Sequence, residues 1–198
     1  MEKQIMITVG REHGSGGHYI AKMIAEQLNI QLYDKQIVEG TTLTSGYSRE
    51  IVDKMDEKPV NFFFSRKIGA YSNSLEENVA EMTFNYINCK AMSGESFVVV
   101  GRCAEQVLKD YPNVIKIFIE GSRDEKIKRI MNVENVSESE AESIMKEVDR
   151  RRKTYHNYYC EHKWGDSRGY DIVANSSRLG LEKTADVLTY CIRAYMSL

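Results

Sequence analysis

The chain has 198 residues, of which 42% are hydrophobic and 28% charged, and its formal net charge is −2. This length and composition are typical of a single globular domain that buries its own core, and they exclude a low-complexity or disordered chain. The near-neutral charge gives no general attraction to nucleic acid or to an anionic membrane, so neither is expected as a partner.

The cysteines indicate the compartment. Cys89, Cys103, Cys160 and Cys191 are far apart, and they form neither a C-x-x-C pair nor a zinc-ligand spacing. The sequence also shows no secretory signal and no long apolar run. We therefore expect a cytoplasmic protein with reduced thiols.

The first predicted elements in chain order are a strand, a turn, a helix and a second strand. Residues 4–9 form an apolar strand, and 10–17 form a glycine-rich turn. Apolar residues recur at helical spacing over 18–28. A short strand over 30–33 then ends at Asp34.

The middle of the chain is predicted to be mainly helical. Residues 35–94 show this pattern, with one break over 40–47 and another near Pro59. Two strongly apolar strands follow, over 96–100 and 114–119.

The last third contains two helices and one strand. Ser137 followed by Glu140 is a capping-box pattern, and it predicts a long helix that ends near residue 159. A strand over 171–174 and a closing helix over 181–195 complete the chain.

This order predicts an α/β fold. Short apolar strands that alternate with helices indicate a mainly parallel five-stranded sheet, covered by helices on both faces in three α/β/α layers. Ligands bind beyond the carboxyl ends of such strands. The segments to examine are therefore 10–18, 33–35, 101–103, 120–123 and 175–178.

The turn after the first strand is a predicted phosphate cradle, typical of P-loop NTPase-like folds. Gly14, Gly16 and Gly17 allow the backbone to approach an anion closely. The start of the next helix presents unpaired N–H groups and the positive end of its dipole. The alternative interpretation is an ordinary strand-to-helix turn.

The loop departs from the Walker A pattern, G-x-x-x-x-G-K-[ST]. Gly17 stands at the lysine position and Arg11 at the first glycine, while the hydroxyl position falls on His18 or Tyr19. Phosphoryl transfer depends on neutralising charge over the phosphates. Another cation must therefore act here, and the local candidates are Arg11, His18 and Lys22.

Two further candidates follow strand ends. Asp34 is a candidate ligand for magnesium or a group that positions an acceptor hydroxyl, and helix N-capping is the alternative. Arg102 follows the strand over 96–100, where its guanidinium could bind phosphate oxygens in a bidentate manner. The alternative for Arg102 is a structural salt bridge.

A basic stretch on the long predicted helix supplies the last candidates. Residues 146–153 include five lysines and arginines. Asp149 and Arg152 are three residues apart and therefore share a helix face. The alternative is a solvated helix surface. For the nearby aromatic residues, which include Tyr155 and Trp164, we expect packing against the core.

These segments together resemble the cytidylate kinase-like family, a divergent branch of the nucleoside monophosphate kinases. A glycine loop without lysine is itself typical of that branch. The resemblance extends from residue 7 to about residue 180. It rests on residues 10–17, 32–35, 98–104, 158–159, 163–166 and 170–171.

The resemblance implies a three-part kinase within a single domain that spans 1–198. The core binds ATP, a helical region over about 36–92 binds the acceptor, and a lid over about 147–168 closes with arginines. The residues expected to bind ATP are Arg11, Gly14, Ser15, Gly16, Gly17, His18 and Tyr19.

The resemblance also assigns acceptor and catalytic roles. Arg102 contacts the acceptor phosphate, Asp149 the ribose, and Arg152 a phosphate. Asp34, Arg102 and Arg152 are the expected catalytic residues, with Asp34 as a ligand of Mg²⁺.

The expected activity is transfer of the ATP γ-phosphoryl group to a nucleoside monophosphate, nominally CMP. The alternatives are a nucleotide-binding regulator that has lost transfer and a kinase of another small phosphate acceptor. The run Phe62-Phe63-Phe64 suggests either a buried corner or a homodimer contact.

Overall fold

The computed structural model describes residues 4–60, 67–68 and 71–197. Its strands are β1 (Met6–Arg11), β2 (Gln31–Tyr33), β3 (Lys67–Ile68), β4 (Tyr71–Ser72), β5 (Phe97–Val100), β6 (Val114–Glu120) and β7 (Ile172–Asn175). Its helices are α1 (Gly17–Leu28), α2 (Lys35–Ser45), α3 (Arg49–Met55), α4 (Leu75–Met92), α5 (Ala104–Val107), α6 (Arg123–Glu134), α7 (Glu138–Tyr159), α8 (Ser176–Leu179) and α9 (Leu181–Met196). A 3₁₀ turn covers Ser167–Gly169. The phenylalanine run at 62–64 lies outside the described residues.

The main sheet has five parallel strands in the order β2-β5-β1-β6-β7, which confirms the predicted α/β class. β1 lies in the centre, where Val9 is level with Val100 of β5 and Ile117 of β6. Since all five strands run in one direction, the residues that follow them meet at one edge. β3 and β4 form a separate antiparallel pair.

Helices cover both faces of the sheet, as the continuous apolar pattern of its strands predicts. On one face α1 and α9 pack on β1, β5 and β6 through residues that include Ile24, Val98 and Leu188. On the other face α2 and α4 pack on the sheet through residues that include Ile37 and Ile87. The glycine loop thus follows the central strand, whose first five residues are buried.

The structure corrects one predicted boundary and adds one helix that the sequence reading missed. α2 continues through Gly40 to Ser45, so the predicted break begins only at Gly46. A Cβ at Gly40 would lie 2.2 Å from the ring of Tyr86 on α4, so this glycine allows close helix packing. The missed helix is α6, although Ser122 and the acidic first turn at Asp124 and Glu125 are helix-start signals.

The aromatic residues near the end of α7 pack as expected. Tyr155 is buried, and its ring lies 5.0 Å from that of Tyr159, which also contacts Phe84 on α4. Trp164 packs edge-on against Phe118 of β6 at 5.4 Å. Through these contacts the second half of α7 and the loop that follows it pack against the core.

Among the described helices, none combines the length and apolarity needed to cross a membrane.

Candidate functional site

The glycine loop forms a fixed turn between β1 and α1. Gly14 and Gly16 adopt positive φ angles of 77° and 79°, which glycine tolerates at little cost. The buried Ser15 donates from its hydroxyl to the Glu12 carbonyl at 2.8 Å, and Ser176 donates to the Ser15 carbonyl at 2.6 Å. The N–H groups at the start of α1 are therefore held by a preorganised backbone, as an anion site requires.

Packing alone also requires small residues in this loop. A Cβ at Gly14 would lie 2.7 Å from the Lys126 carbonyl oxygen, and one at Gly16 would lie 2.4 Å from Leu181. A Cβ at Gly17 would lie 2.5 Å from the Cβ of Arg11. The position of the usual lysine is thus closed by Arg11, which explains sterically why a glycine stands there.

Arg102 is the buried centre of an ion-pair network. Its Nε and one terminal nitrogen donate to the two carboxylate oxygens of Asp56 at 3.1 and 2.7 Å. Its other terminal nitrogen donates to Asp34 and, at 2.8 Å, to the Val100 carbonyl. Four of the five guanidinium N–H groups are thus engaged. The structure therefore shows Arg102 as a salt-bridged residue.

A second bidentate pair adjoins this network. The two terminal nitrogens of Arg11 donate to the carboxylate of Glu57 at 2.9 and 3.0 Å. Glu57 also accepts from the backbone N–H of Arg102 at 3.1 Å. Both pairs are largely buried, so they exclude water from the edge of the sheet.

Burial and charge act in opposite directions on these carboxyl groups. Burial alone would raise the pKa of Asp34, but the His18 hydrogen bond and the Arg102 charge lower it well below its usual range. Burial would likewise raise the pKa of Glu57, but the Arg11 charge and its hydrogen bonds outweigh burial, so the pKa of Glu57 is also lowered. Burial dominates at Asp56 and raises its pKa despite Arg102.

Asp34 stands at the N-cap position of α2, but its carboxylate makes no capping bond. One oxygen accepts from Arg102, and the other lies 2.7 Å from Nδ1 of the half-exposed His18. Tyr19 is 44% exposed, and Lys22 pairs with Glu26 at 3.7 Å on the α1 surface. Of the local cations suggested for the loop, His18 and Arg11 therefore belong to the ion-pair network.

Two α7 residues that the family resemblance assigns to a lid, Asp149 and Arg152, contact the glycine loop directly. Asp149 accepts a hydrogen bond from the backbone N–H of His13 at 2.7 Å. Arg152 donates to the Arg11 carbonyl at 3.3 Å, and its buried Nε has no hydrogen-bond partner among the described residues. Burial and then the neighbouring Arg11 charge lower the pKa of Arg152 to about 10. Arg152 is thus a poorly compensated cation at the sheet edge.

Little open space lies between α7 and the candidate residues at the sheet edge. A gap of about 20 Å³ lies between residues that include Arg11, Arg102 and Arg152. A wider cleft of about 680 Å³ begins beside His18 and Asp34. Another depression, of about 570 Å³, lies at the opposite, amino-terminal edge of the sheet, away from every candidate residue. Strand ends and charges, rather than cavity size, identify the site.

Several residues of the site were not found from the sequence. Asp56 and Glu57 follow α3 in a turn that has no motif, and only the folded chain brings them to Arg102 and Arg11. On the missed helix α6, Lys126 pairs with Glu12 at 2.9 Å, and Arg129 donates to the Gly14 carbonyl. α6 therefore contacts the glycine loop through these two side chains.

Comparison with known proteins places this geometry in a family. Residues 6–178 match the model of the cytidylate kinase-like family. The chain belongs to the cytidylate kinase-like family. A relative named cytidylate kinase, from Methanosarcina barkeri (strain Fusaro / DSM 804), is 26% identical over 191 residues, with 94% of this chain and 95% of the relative covered.

Solved structures agree with this cytidylate kinase-like fold. An uncharacterized protein from Eubacterium ventriosum ATCC 27560 is 39% identical, with a TM-score of 0.74 over 96% of this chain and 99% of that one. Shikimate kinase from Bacteroides thetaiotaomicron is 12% identical, with a TM-score of 0.57 over 96% and 98%. A gluconokinase from Sinorhizobium meliloti 1021 is 12% identical, with a TM-score of 0.57 over 100% of this chain and 96% of that one. At 12% identity, the similarity to these two kinases is one of fold alone.

Proposed function

We propose that the protein transfers the γ-phosphoryl group of ATP to a nucleoside monophosphate, with CMP as the first acceptor to test. One observation carries the proposal. The preorganised glycine loop, an ionised carboxylate and a poorly compensated arginine converge at the carboxyl edge of a parallel sheet, under a lid helix. Phosphoryl transfer needs mainly such positioning and charge neutralisation. The family and the name of the Methanosarcina relative support the choice of acceptor.

The loop would hold the donor phosphates. Its N–H groups from Gly14 to His18 lie in the turn before α1 and in the first two residues of α1, where the helix dipole favours negative charge. No lysine is present at residue 17, so the neutralising cation has to come from elsewhere. Arg152 is suited to this task because its guanidinium lies beside the loop and retains unused N–H groups.

Asp34 is the residue proposed to hold Mg²⁺. A magnesium ion is usually bound through one or two carboxylates, with phosphate oxygens and waters as the other ligands. Asp34 provides one carboxylate that stays ionised at neutral pH. One of its oxygens would have to exchange the exposed His18 for the ion. Mg²⁺ would there supply positive charge between the phosphates.

Arg102 has a more restricted role than the sequence suggested. Its bidentate face is occupied by Asp56, so an acceptor phosphate can reach it only if Asp56 releases a bond. In the proposed enzyme Arg102 first orients Asp34, and it contacts the acceptor only after this rearrangement. Arg102→Lys should therefore impair magnesium-dependent turnover as well as acceptor use, because lysine cannot bridge both aspartates with a planar fork.

The closed position of residue 17 and the pairing of Arg102 favour one alternative, a nucleotide-binding regulator without turnover. To decide, ADP release from ATP and Mg²⁺ is measured with CMP, UMP, AMP, shikimate and gluconate, and ADP binding is measured by calorimetry. Arg152→Ala is compared with Arg151→Ala, an exposed neighbour on the same helix.

Turnover that requires CMP or another nucleoside monophosphate, and that falls in Arg152→Ala only, would support the proposal. Binding of ADP with no turnover would indicate the regulator. Turnover with shikimate or gluconate alone would indicate a kinase of another acceptor. Absence of both binding and turnover would overturn all three.

A further inference from the structure

A second cluster of reactive side chains lies behind the lid helix, at the junction of α5 and α7. Ligand-type atoms of Glu105, His156 and Cys160 all lie within 4.8 Å of one another. His156 Nε2 lies 2.7 Å from a carboxylate oxygen of Glu105. Cys103 lies nearby, in the same packed cluster as Cys160, and burial, followed by the neighbouring Cys160, raises the pKa of its thiol. The proposed phosphoryl transfer uses none of these four side chains.

Local structure explains why they meet. His156 and Cys160 are four residues apart, so they project from the same face at the end of α7. On the other side, Cys103 is the N-cap residue of α5, and Glu105 lies in its first turn. Cys103 has a φ of 54°, directly after Arg102 at 55°. Two consecutive left-handed residues other than glycine are strained, and strain of this kind tends to occur at functional positions.

Burial and access both suit a bound ion. His156 is 6% exposed, and its buried Nδ1 has no hydrogen-bond partner in the described part of the chain. A cleft of about 60 Å³ reaches the cluster from the surface, larger than the ~10–15 Å³ that one water occupies. Lys109 and Lys116 also line this cleft, but Lys109 is paired with Glu161.

We propose that Glu105, His156 and Cys160 form a binding site for a zinc ion. A thiolate, an imidazole and a carboxylate are all established zinc ligands, and a water in the fourth position would complete a tetrahedral shell. Softer nitrogen and sulfur donors select zinc over magnesium, which prefers oxygen. Binding would release the thiol proton of Cys160, and any proton on the imidazole, to solvent.

Such a site would join the end of the lid helix to the strand end that carries Arg102. Glu105 follows Arg102 by three residues, and His156 follows Arg152 by one helical turn. The alternative is a metal-free arrangement, in which His156 and Glu105 form a buried ion pair beside two thiols that a peroxide can join as a disulfide. A measurement of metal binding distinguishes the zinc site from the metal-free arrangement. Its result does not depend on whether the protein is a kinase.

The test uses the full chain, reduced and freed of metal with a chelator. Zn²⁺ is titrated in competition with a chromogenic chelator, and Co²⁺ serves as a spectroscopic probe of thiolate ligation. Cys160→Ser is compared with Cys89→Ser and Cys191→Ser, which remove cysteines that lie outside the cluster. Glu105→Gln is a further ligand variant that keeps both thiols.

We expect one Zn²⁺ per chain, a thiolate-to-cobalt absorption band, and affinity at least ~10-fold lower in each cluster variant, since even outer-shell changes cost about 10–100-fold. The Cys89 and Cys191 variants should bind like the wild type. Equal affinity in all variants, no binding, or a Cys103–Cys160 disulfide in place of binding would overturn the site. If Cys160→Ser fails to fold, unchanged affinity in Glu105→Gln would overturn it and lower affinity would support it.

Discussion

The Cβ of Arg11 occupies the space that any side chain at residue 17 would enter, at a distance of 2.5 Å from the position of its Cβ. Two departures from the Walker pattern, an arginine at 11 and a glycine at 17, are therefore sterically coupled. Restoring lysine at residue 17 alone would displace Arg11 and its pair with Glu57. The charge that the loop lacks has to enter from another element.

This coupling predicts a double-mutant cycle. Gly17→Ala should destabilise the wild type by about 1–3 kcal/mol through overpacking. The same change should cost clearly less when Arg11 is replaced by glycine, which removes the obstructing Cβ. Arg11→Ala is the matched control, because alanine keeps that Cβ and should give no relief. The free energies of unfolding are measured by urea denaturation. Equal costs in all three backgrounds would contradict the steric explanation.

A second prediction concerns the poorly compensated cation of the lid. Arg152→Ala should weaken ADP or pyrophosphate binding by about 10- to 100-fold, as expected for loss of a charge-assisted hydrogen bond worth ~1.5–3 kcal/mol. Arg152→Lys should recover only part of this, since it keeps the charge but loses the planar fork. Calorimetry gives the affinities, with the exposed Arg151→Ala as control. If Arg151→Ala caused the same loss, the effect would be general surface charge.

The third prediction separates two roles of Asp149. Its carboxylate accepts from the His13 N–H, within the loop where phosphate is expected. Asp149→Asn should therefore tighten pyrophosphate binding by several fold, because one like charge is removed at short range. If Asp149 instead holds a ribose, as the family resemblance implies, the variant should bind ADP more weakly and pyrophosphate unchanged. Glu147→Gln, at an exposed position on the same helix, is the control.

The fourth prediction concerns pH. The Arg11 charge holds the pKa of buried Glu57 below its ordinary value of 4.5, so the native state resists protonation there more than the unfolded chain does. The stabilisation should be complete well above pH 4.5 and should diminish as the pH falls below that value. Glu57→Gln should thus cost about 3 kcal/mol at pH 7, as breaking a buried pair does, and progressively less in acid.

Denaturation curves from pH 7 down to the acid limit of folding would check this. Glu50→Gln, at an exposed position on the preceding helix α3, is the control. Its difference from the wild type in free energy of unfolding should not diminish as the pH falls. A cost for Glu57→Gln that stays constant with pH would mean that hydrogen bonding, rather than charge, stabilises the pair.

The sequence by itself determined the sheet and the position of the glycine loop at its edge. Continuous apolar strands such as Phe97–Val100 can be buried only between two helical layers, and that pattern is local and periodic. The run of glycines before α1 likewise predicts the anchored turn at the sheet edge. These features depend on near neighbours in the chain, so periodicity and turn chemistry reveal them.

The tertiary structure alone decided which charges meet. The sequence left the partners of Arg102 open, and chain segments 46 and 68 residues away bring Asp56 and Asp34 to it. Cys103 and Cys160 have no motif spacing, and only the packing of distant segments places them in one cluster. Such pairs depend on how distant segments pack, and ion pairs have no sequence period. The chain alone therefore gave the candidate residues but not their partners.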